Sequence, residues 1–273
     1  MMATNVRQPD SDLEGPQPAT RVAERRALVR EVTARGLATR EHGRGTLPEQ
    51  FHYPSTPQSA ALQSLHDDLV AAKEPFSDRA EEFRSLRSEL FETTFSMVGK
   101  RALAVVSEDE GDGKTYVVAN LAVSFSQFGG RTLLVDGNLR APGLQRLLGT
   151  ERRAGLADLL NGQVGEEEAV MPVPGVQGLH FLQAGFPVLD PIRLLQDGRL
   201  GMLIHQMLAQ FDQVLIDTPS NGTGPDARLV AVQAGAALVV GRKNHSRIAP
   251  LRRLLAQLNN SPTVLAGFVL NQH

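Results

Sequence analysis

Short runs of consecutive apolar residues alternate along this chain with stretches whose apolar residues recur every three or four positions. The runs are Ala102 to Val106, TLLV within RTLLVDGN, LHFLQAG, QVLI within FDQVLIDTP, AALVVGR and TVLAGFVLN. Runs of this length, flanked by Gly, Asp and Pro, read as strands covered on both faces. Between them lie helical pieces: YVVANLAVSFSQF, LQRLLG, GLADLLNG, a helix from Ile192 to Gln210, ARLVAVQ, and Ile248 to Leu258. Strands alternating with helices predict a mostly parallel sheet with helices on both sides, a three-layer α/β sandwich. Ahead of the first strand, a helix is predicted from Asp78 to Phe95. Asp78 is placed as its N-cap with Glu81 three residues on, and Phe83, Leu86 and Leu90 face the core.

The pattern is weaker before residue 77. Residues 1 to about 20 are polar and rich in proline. An Arg/Glu-rich helix with a thin apolar stripe follows from Arg21 to Leu37, and REHGRGTLPEQFHYPSTPQ reads as linker. The expected organisation is therefore an N-terminal arm and linker over 1–76 and one domain over 77–273.

The total of 273 residues suits one large domain plus an extension. A net charge of −2 argues against nucleic acid as a partner. The chain has no cysteine, which excludes disulfides and thiolate metal sites and suits a reducing compartment. The longest stretch without a charged residue, Ala169 to Leu189, carries three prolines, a histidine and two glutamines, so it does not read as a membrane span. The first residues lack the apolar core of a signal peptide. A cytoplasmic protein with no direct membrane insertion is expected.

The candidate chemistry lies at the carboxyl ends of the strands, where ligands bind in open parallel sheets. After Val106 the chain reads SEDEGDGKTYVVAN: strand, glycine turn, Lys-Thr, helix. That is the layout of a phosphate-binding loop, in which glycines let backbone N–H groups curl around phosphate oxygens and the helix N-terminus adds positive dipole. Gly111, Asp112, Gly113, Lys114, Thr115 and Tyr116 are the expected nucleotide contacts. Lys114 reaches the outer phosphates and the Thr115 hydroxyl ligates Mg2+. Two further strands end in an acid, Asp136 after TLLV and Asp217 after QVLI, as carboxylates that organise magnesium should. The loop's own acids, Glu108, Asp109, Glu110 and Asp112, would repel a triphosphate unless they point away from it.

Together these residues resemble the bacterial tyrosine kinase family of polysaccharide biosynthesis, in particular its separate-chain form. The resemblance covers about residues 77–273. SEDEGDGKT matches the Walker A loop, TLLVDGNLR the Walker A′ strand, QVLIDTP the Walker B strand, and EEFRSLR the E-x-x-R-x-x-R oligomerisation motif through Glu81, Arg84 and Arg87. It implies a P-loop NTPase fold of the deviant-Walker (MinD/Mrp-like) branch, ATP and Mg2+ as ligands, and Lys114, Asp136 and Asp217 as catalytic residues. It further implies Asn271 facing the adenine, self-association, and a membrane chain-length determinant whose cytosolic tail docks on the chain. From the residues alone, Glu81, Arg84 and Arg87 make either a solvated face with internal ion pairs or a subunit contact.

Departures from the family pattern bear on the activity. Asn138 stands where the family has a second Asp, and Glu108 replaces a small residue. The only tyrosines are Tyr53 and Tyr116, with no clustered tyrosine tail after the last strand, so autophosphorylation of the family's kind is not expected. The expected function is an ATP-binding kinase-family regulator of exopolysaccharide chain length and export. A catalytically impaired pseudokinase scaffold of the same system is the alternative. A positioning ATPase of the ParA/MinD kind ranks third, because its signature lysine falls at Asp109.

Overall fold

The computed structural model describes residues 57–96, 101–196 and 198–272. The predicted Arg21–Leu37 helix and Tyr53 lie outside the described residues. In chain order the elements are α1 (Pro57–Ser64), α2 (Val70–Lys73), α3 (Asp78–Leu90, continued by a π-helical turn over Phe91–Phe95), β1 (Ala102–Val106), α4 (Lys114–Gln127) and β2 (Thr132–Asp136). Next come α5 (Leu144–Leu147), α6 (Leu156–Leu160), α7 (Glu166–Ala169), β3 (Val170–Pro172), β4 (Leu179–Leu182), α8 (Pro191–Gln196), α9 (Arg199–Gln210) and β5 (Gln213–Asp217). The chain closes with α10 (Asp226–Ala234), β6 (Ala236–Arg242), α11 (Ile248–Asn259) and β7 (Val264–Asn271), and a single 3₁₀ turn over Asn221–Thr223 follows β5.

The seven strands form one sheet in the order β3-β4-β2-β5-β1-β6-β7. Every neighbouring pair is parallel except β3 with β4. Side chains alternate across each strand, so successive residues enter opposite cores. Ala102, Ala104, Val106, Leu133, Val135, Val214 and Ile216 pack with α6, α8, α9, α10 and α11 on one face. Leu103, Val105, Leu134, Leu215, Leu238 and Val240 pack with α3, α4 and Leu65–Ala71 on the other. This is the expected three-layer sandwich. Helix α4 is buried on nearly all sides because it lies between the sheet and the outer pieces α2 and α3.

Four details differ from the sequence reading. The N-cap of α3 is Ser77, whose hydroxyl accepts from the Ala80 N–H at 3.2 Å, while Asp78 is the first helical residue. Ser77 has the extended backbone that a cap needs, and Asp78 then adds negative charge in the first turn. The expected helix Ile192 to Gln210 is two helices, α8 and α9, with Gly198 in a left-handed turn at the start of α9. A short antiparallel strand, β3, adds to the sheet edge, where Pro172 lacks an N–H to donate. Residues 65–73, which fall within the expected arm and linker over 1–76, are packed: Leu65, Leu69 and Val70 are buried. Asn120 of α4 accepts from the Ala71 N–H at 2.9 Å and donates to the Asp68 carbonyl at 2.9 Å.

No helix among the described residues is long and apolar enough to cross a membrane.

Candidate functional site

The parallel register builds the site. Strands β1, β2 and β5 run the same way with β5 between the other two, and Asp136 is the register partner of Asp217. Two carboxylates from strands far apart in sequence therefore end level at one rim, beside the loop that follows β1. Gly137 permits this closeness. Its N–H donates to the Asp217 carbonyl at 3.0 Å, and a Cβ there would stand 2.6 Å from that oxygen.

At the base of the loop, the Thr115 hydroxyl donates to Asp217 Oδ2 at 2.7 Å. Asp217 is fully buried, and its other oxygen, Oδ1, is a buried atom without a partner. Asp136 is also buried. Its Oδ2 accepts from the Gly143 and Leu144 N–H groups, each at 3.2 Å, and its Oδ1 from the Asn138 N–H at 3.1 Å. Burial pushes the Asp136 carboxyl up to about 7, with the neighbouring Asp217 charge adding to the effect. Burial likewise raises Asp217, opposed by its Thr115 hydrogen bond and by Lys114. Lys114, the first residue of α4, is buried and its pKa is lowered by desolvation, against the pull of Asp217, Asp112 and Glu110.

Two buried acids at raised pKa, one with an unpartnered oxygen, beside a buried lysine and a helix N-terminus, form a set whose chemistry suits a cation next to an anion. Thr115, Asp136 and Asp217 fit a divalent ion. Gly111 and Gly113, both left-handed (φ 79° and 93°), leave the loop backbone free of Cβ atoms opposite Lys114. At Gly113 the requirement is steric too, since a Cβ would fall 2.1 Å from the Asn271 amide nitrogen.

Three of the loop's own acids are held by side chains from outside the loop. Glu108 accepts from the Asn221 side chain at 2.8 Å, Asp109 pairs with Arg247 at 2.8 Å, and Asp112 accepts from the Ser246 hydroxyl at 2.6 Å. Asn271 donates to the Asp112 carbonyl at 3.1 Å, so it sits against the loop. The Tyr116 ring packs edge-on to Phe83 at 5.7 Å, which leaves its backbone as the part that can serve the site. Asn138 makes a reciprocal pair with Ala141: its amide donates to the Ala141 carbonyl (2.7 Å) and its oxygen accepts from the Ala141 N–H (3.1 Å).

Away from the rim, Arg84 pairs with Glu81 on α3 and also donates to the Pro75 carbonyl. Arg87 donates to the Ser124 carbonyl of α4 at 3.0 Å and lies 4.7 Å over the Phe128 ring. Both arginines are thus engaged within the chain.

Sequence reasoning missed Asp226, a buried carboxylate that holds Arg140 through two hydrogen bonds of 3.1 and 3.2 Å. It also missed the polar segment Arg242–Arg247, which contacts the loop from outside. The available signal was position: GRKNHSR begins at the end of β6, the strand next to β1, and so emerges at the same rim.

A central strand feeding a glycine loop into a helix, with an acid ending its neighbour β5 and another ending β2 one strand further out, defines a P-loop nucleotide-binding fold of the deviant-Walker branch. The solved structure of MinD with Mg-ADP from Pyrococcus horikoshii is similar at TM-score 0.56 and 26% identity, covering 64% of this chain and 71% of that one. The crystal structure of the chimerical protein CapA2B2 is similar at TM-score 0.71 and 27% identity, covering 76% and 91%. The putative tyrosine-protein kinase EpsB of Ralstonia nicotianae is 35% identical over 205 residues, which is 74% of this chain and 27% of that protein. No family model matches the chain. The chain belongs to the bacterial tyrosine kinase family. It spans about a quarter of the length of the EpsB relative it matches.

Proposed function

We propose that this chain binds Mg-ATP at the rim formed by Lys114, Thr115, Asp136 and Asp217. In this reading it acts in the cytoplasm as a kinase-family regulator of exopolysaccharide chain length and export. Its partner is the cytosolic tail of a separate membrane chain-length determinant. The observation that carries the nucleotide reading is the Thr115–Asp217 contact, with the free Asp217 Oδ1 beside it and Asp136 in register. The bound divalent ion would neutralise phosphate charge, the main requirement of phosphoryl transfer. Lys114 binds the outer phosphates. Asp136, beside that ion, would help to activate the incoming hydroxyl. Asn221 and Arg247 hold Glu108 and Asp109, while Asp112 and Glu110 act on Lys114 from close by.

Asn138 favours a second reading, nucleotide-dependent scaffolding with little phosphoryl transfer. An amide both donates to and accepts from Ala141, whereas a carboxylate lacks the donor. The residue at the family's second acidic position therefore closes its own turn and adds no charge to the site.

Calorimetric titration with Mg-ATP tests the common core of both readings. Binding by the natural chain and its loss in Lys114→Met are expected; identical binding by the two would refute the site.

A further inference from the structure

The end of β6, the segment that joins it to α11 and the end of β7 together reach the phosphate loop at five points. Three successive loop carbonyls accept from side chains outside the loop: Glu110 from His245 Nε2 at 2.9 Å, Gly111 from Arg242 Nη1 at 3.3 Å, and Asp112 from Asn271 Nδ2 at 3.1 Å. The other two contacts are the Asp109–Arg247 pair and the Ser246 hydroxyl on Asp112 Oδ1. A trans peptide places each carbonyl on the side opposite to the following N–H. Holding the carbonyls of 110, 111 and 112 from one side therefore turns the N–H groups of Gly111, Asp112 and Gly113 to the other. Neither the Gly111 nor the Gly113 N–H has a hydrogen-bond partner among the described residues.

Ser246 is the centre of this arrangement. Its oxygen accepts from the Arg242 N–H at the end of β6 (2.6 Å) and its hydroxyl donates to Asp112 (2.6 Å). Asp112 is completely buried, and its second oxygen accepts from the Asp109 N–H at 3.1 Å, closing the loop on itself. The Asp112 carboxylate is thus a fixed peg, seated by one hydroxyl from the segment after β6 and one amide from the loop.

We infer that Ser246 is a positioning residue: acting through Asp112, it holds the loop with its amides already aimed at phosphate. Both contacts of its oxygen are to protein, the Arg242 N–H and Asp112. Ordering the loop in advance removes an entropy cost that would otherwise be met on binding. This inference rests on the nucleotide reading of the Lys114 loop.

The test compares natural chain, Ser246→Ala, Ser246→Thr and Lys114→Met by calorimetry with Mg-ATP and with magnesium tripolyphosphate, which has phosphates and no base. Amide hydrogen exchange over 108–114 and the melting temperature are read alongside. Ser246→Ala should bind both ligands about tenfold more weakly, the range expected for losing a charge-assisted hydrogen bond. Its 110–113 amides should exchange faster with the melting temperature little changed, and Ser246→Thr, which keeps the hydroxyl, should bind like the natural chain. Unchanged affinity in Ser246→Ala overturns the inference. So does a loss confined to Mg-ATP, which would place Ser246 at the base, or a threonine variant as weak as the alanine one. Equal binding by the natural chain and Lys114→Met sinks the nucleotide reading beneath it instead.

Discussion

Thr115 and Asp217 stand 102 residues apart in the chain, yet the threonine hydroxyl donates to the aspartate at 2.7 Å. The contact spans from the first turn of α4 to the end of β5, and it leaves Asp217 Oδ1 buried and unpartnered. Thr115→Ala should remove the magnesium-dependent part of ATP affinity, weakening binding at least about tenfold when magnesium is present. With EDTA the variant and the natural chain should bind alike. Fluorescence titration under both conditions checks this, and an equal loss in each would place Thr115 outside any metal site.

The raised carboxyls give a signed pH dependence. A group whose folded pKa exceeds its unfolded value stabilises fully below the unfolded value, and that contribution is lost as pH rises through the folded one. Asp136 rises from 3.8 to about 7 and Asp217 to about 6. The ligand-free chain should therefore melt at progressively lower temperature between pH 5 and pH 8. Asp136→Asn should flatten that slope. Asp109 and Asp67 are shifted down, so their effect falls below pH 4, outside this window. Mg-ATP affinity should run the other way and weaken as pH drops below 7, because the carboxylates must lose protons to hold a cation. Melting scans across the pH series, with and without Mg-ATP, decide it.

Arg87 ties α3 to α4 through the Ser124 carbonyl and the Phe128 face. Arg87→Ala should lower unfolding stability by about 1–3 kcal/mol, measured in urea. For self-association through Glu81, Arg84 and Arg87, the cleaner probe is Arg84→Ala, whose pair with Glu81 lies along one helix surface. Light scattering should show a smaller assembly for Arg84→Ala; an unchanged mass would count against a subunit contact there.

Incubation with Mg-ATP should give little or no Lys114-dependent phosphotyrosine by mass spectrometry. Tyr116 is packed on Phe83 and half-buried, a poor acceptor, and Asn138 contributes no charge to the metal region. Strong labelling of Tyr53 or Tyr116 that Lys114→Met abolishes would overturn this.

A fragment starting at residue 77 should melt well below one starting at Pro54, where the compact unit begins. The shorter fragment loses buried Leu65, Leu69 and Val70 and strands the Asn120 amide. Each lost apolar side chain is worth about 1.5–3 kcal/mol. Equal melting temperatures would show that this packing is dispensable.

The parts legible in the sequence were those with a local signature. Apolar runs such as ALAVV and TLLV announced strands covered on both faces, and the acids that follow two of them announced the rim. The glycine spacing of the loop marked its helix. What escaped was decided by contacts between distant segments. Ser77 and Asp78 are both able caps, and only the backbone chooses between them. Val170–Pro172 is a strand because β4 offers an edge, and residues 65–73 are ordered because Asn120 lies across from them. Arg242, His245 and Ser246 reach the loop from more than 130 residues away, and no pattern near either end of such a contact reveals it.

Because β2 and β5 finish level, their acids meet only when both strands are seated in the same sheet. A partly assembled chain offers a ligand one carboxylate at most. Nucleotide occupancy at this rim would thus act as a latch on the entire sheet, adding about 2.7 kcal/mol to its resistance to unfolding at a hundredfold excess over Kd.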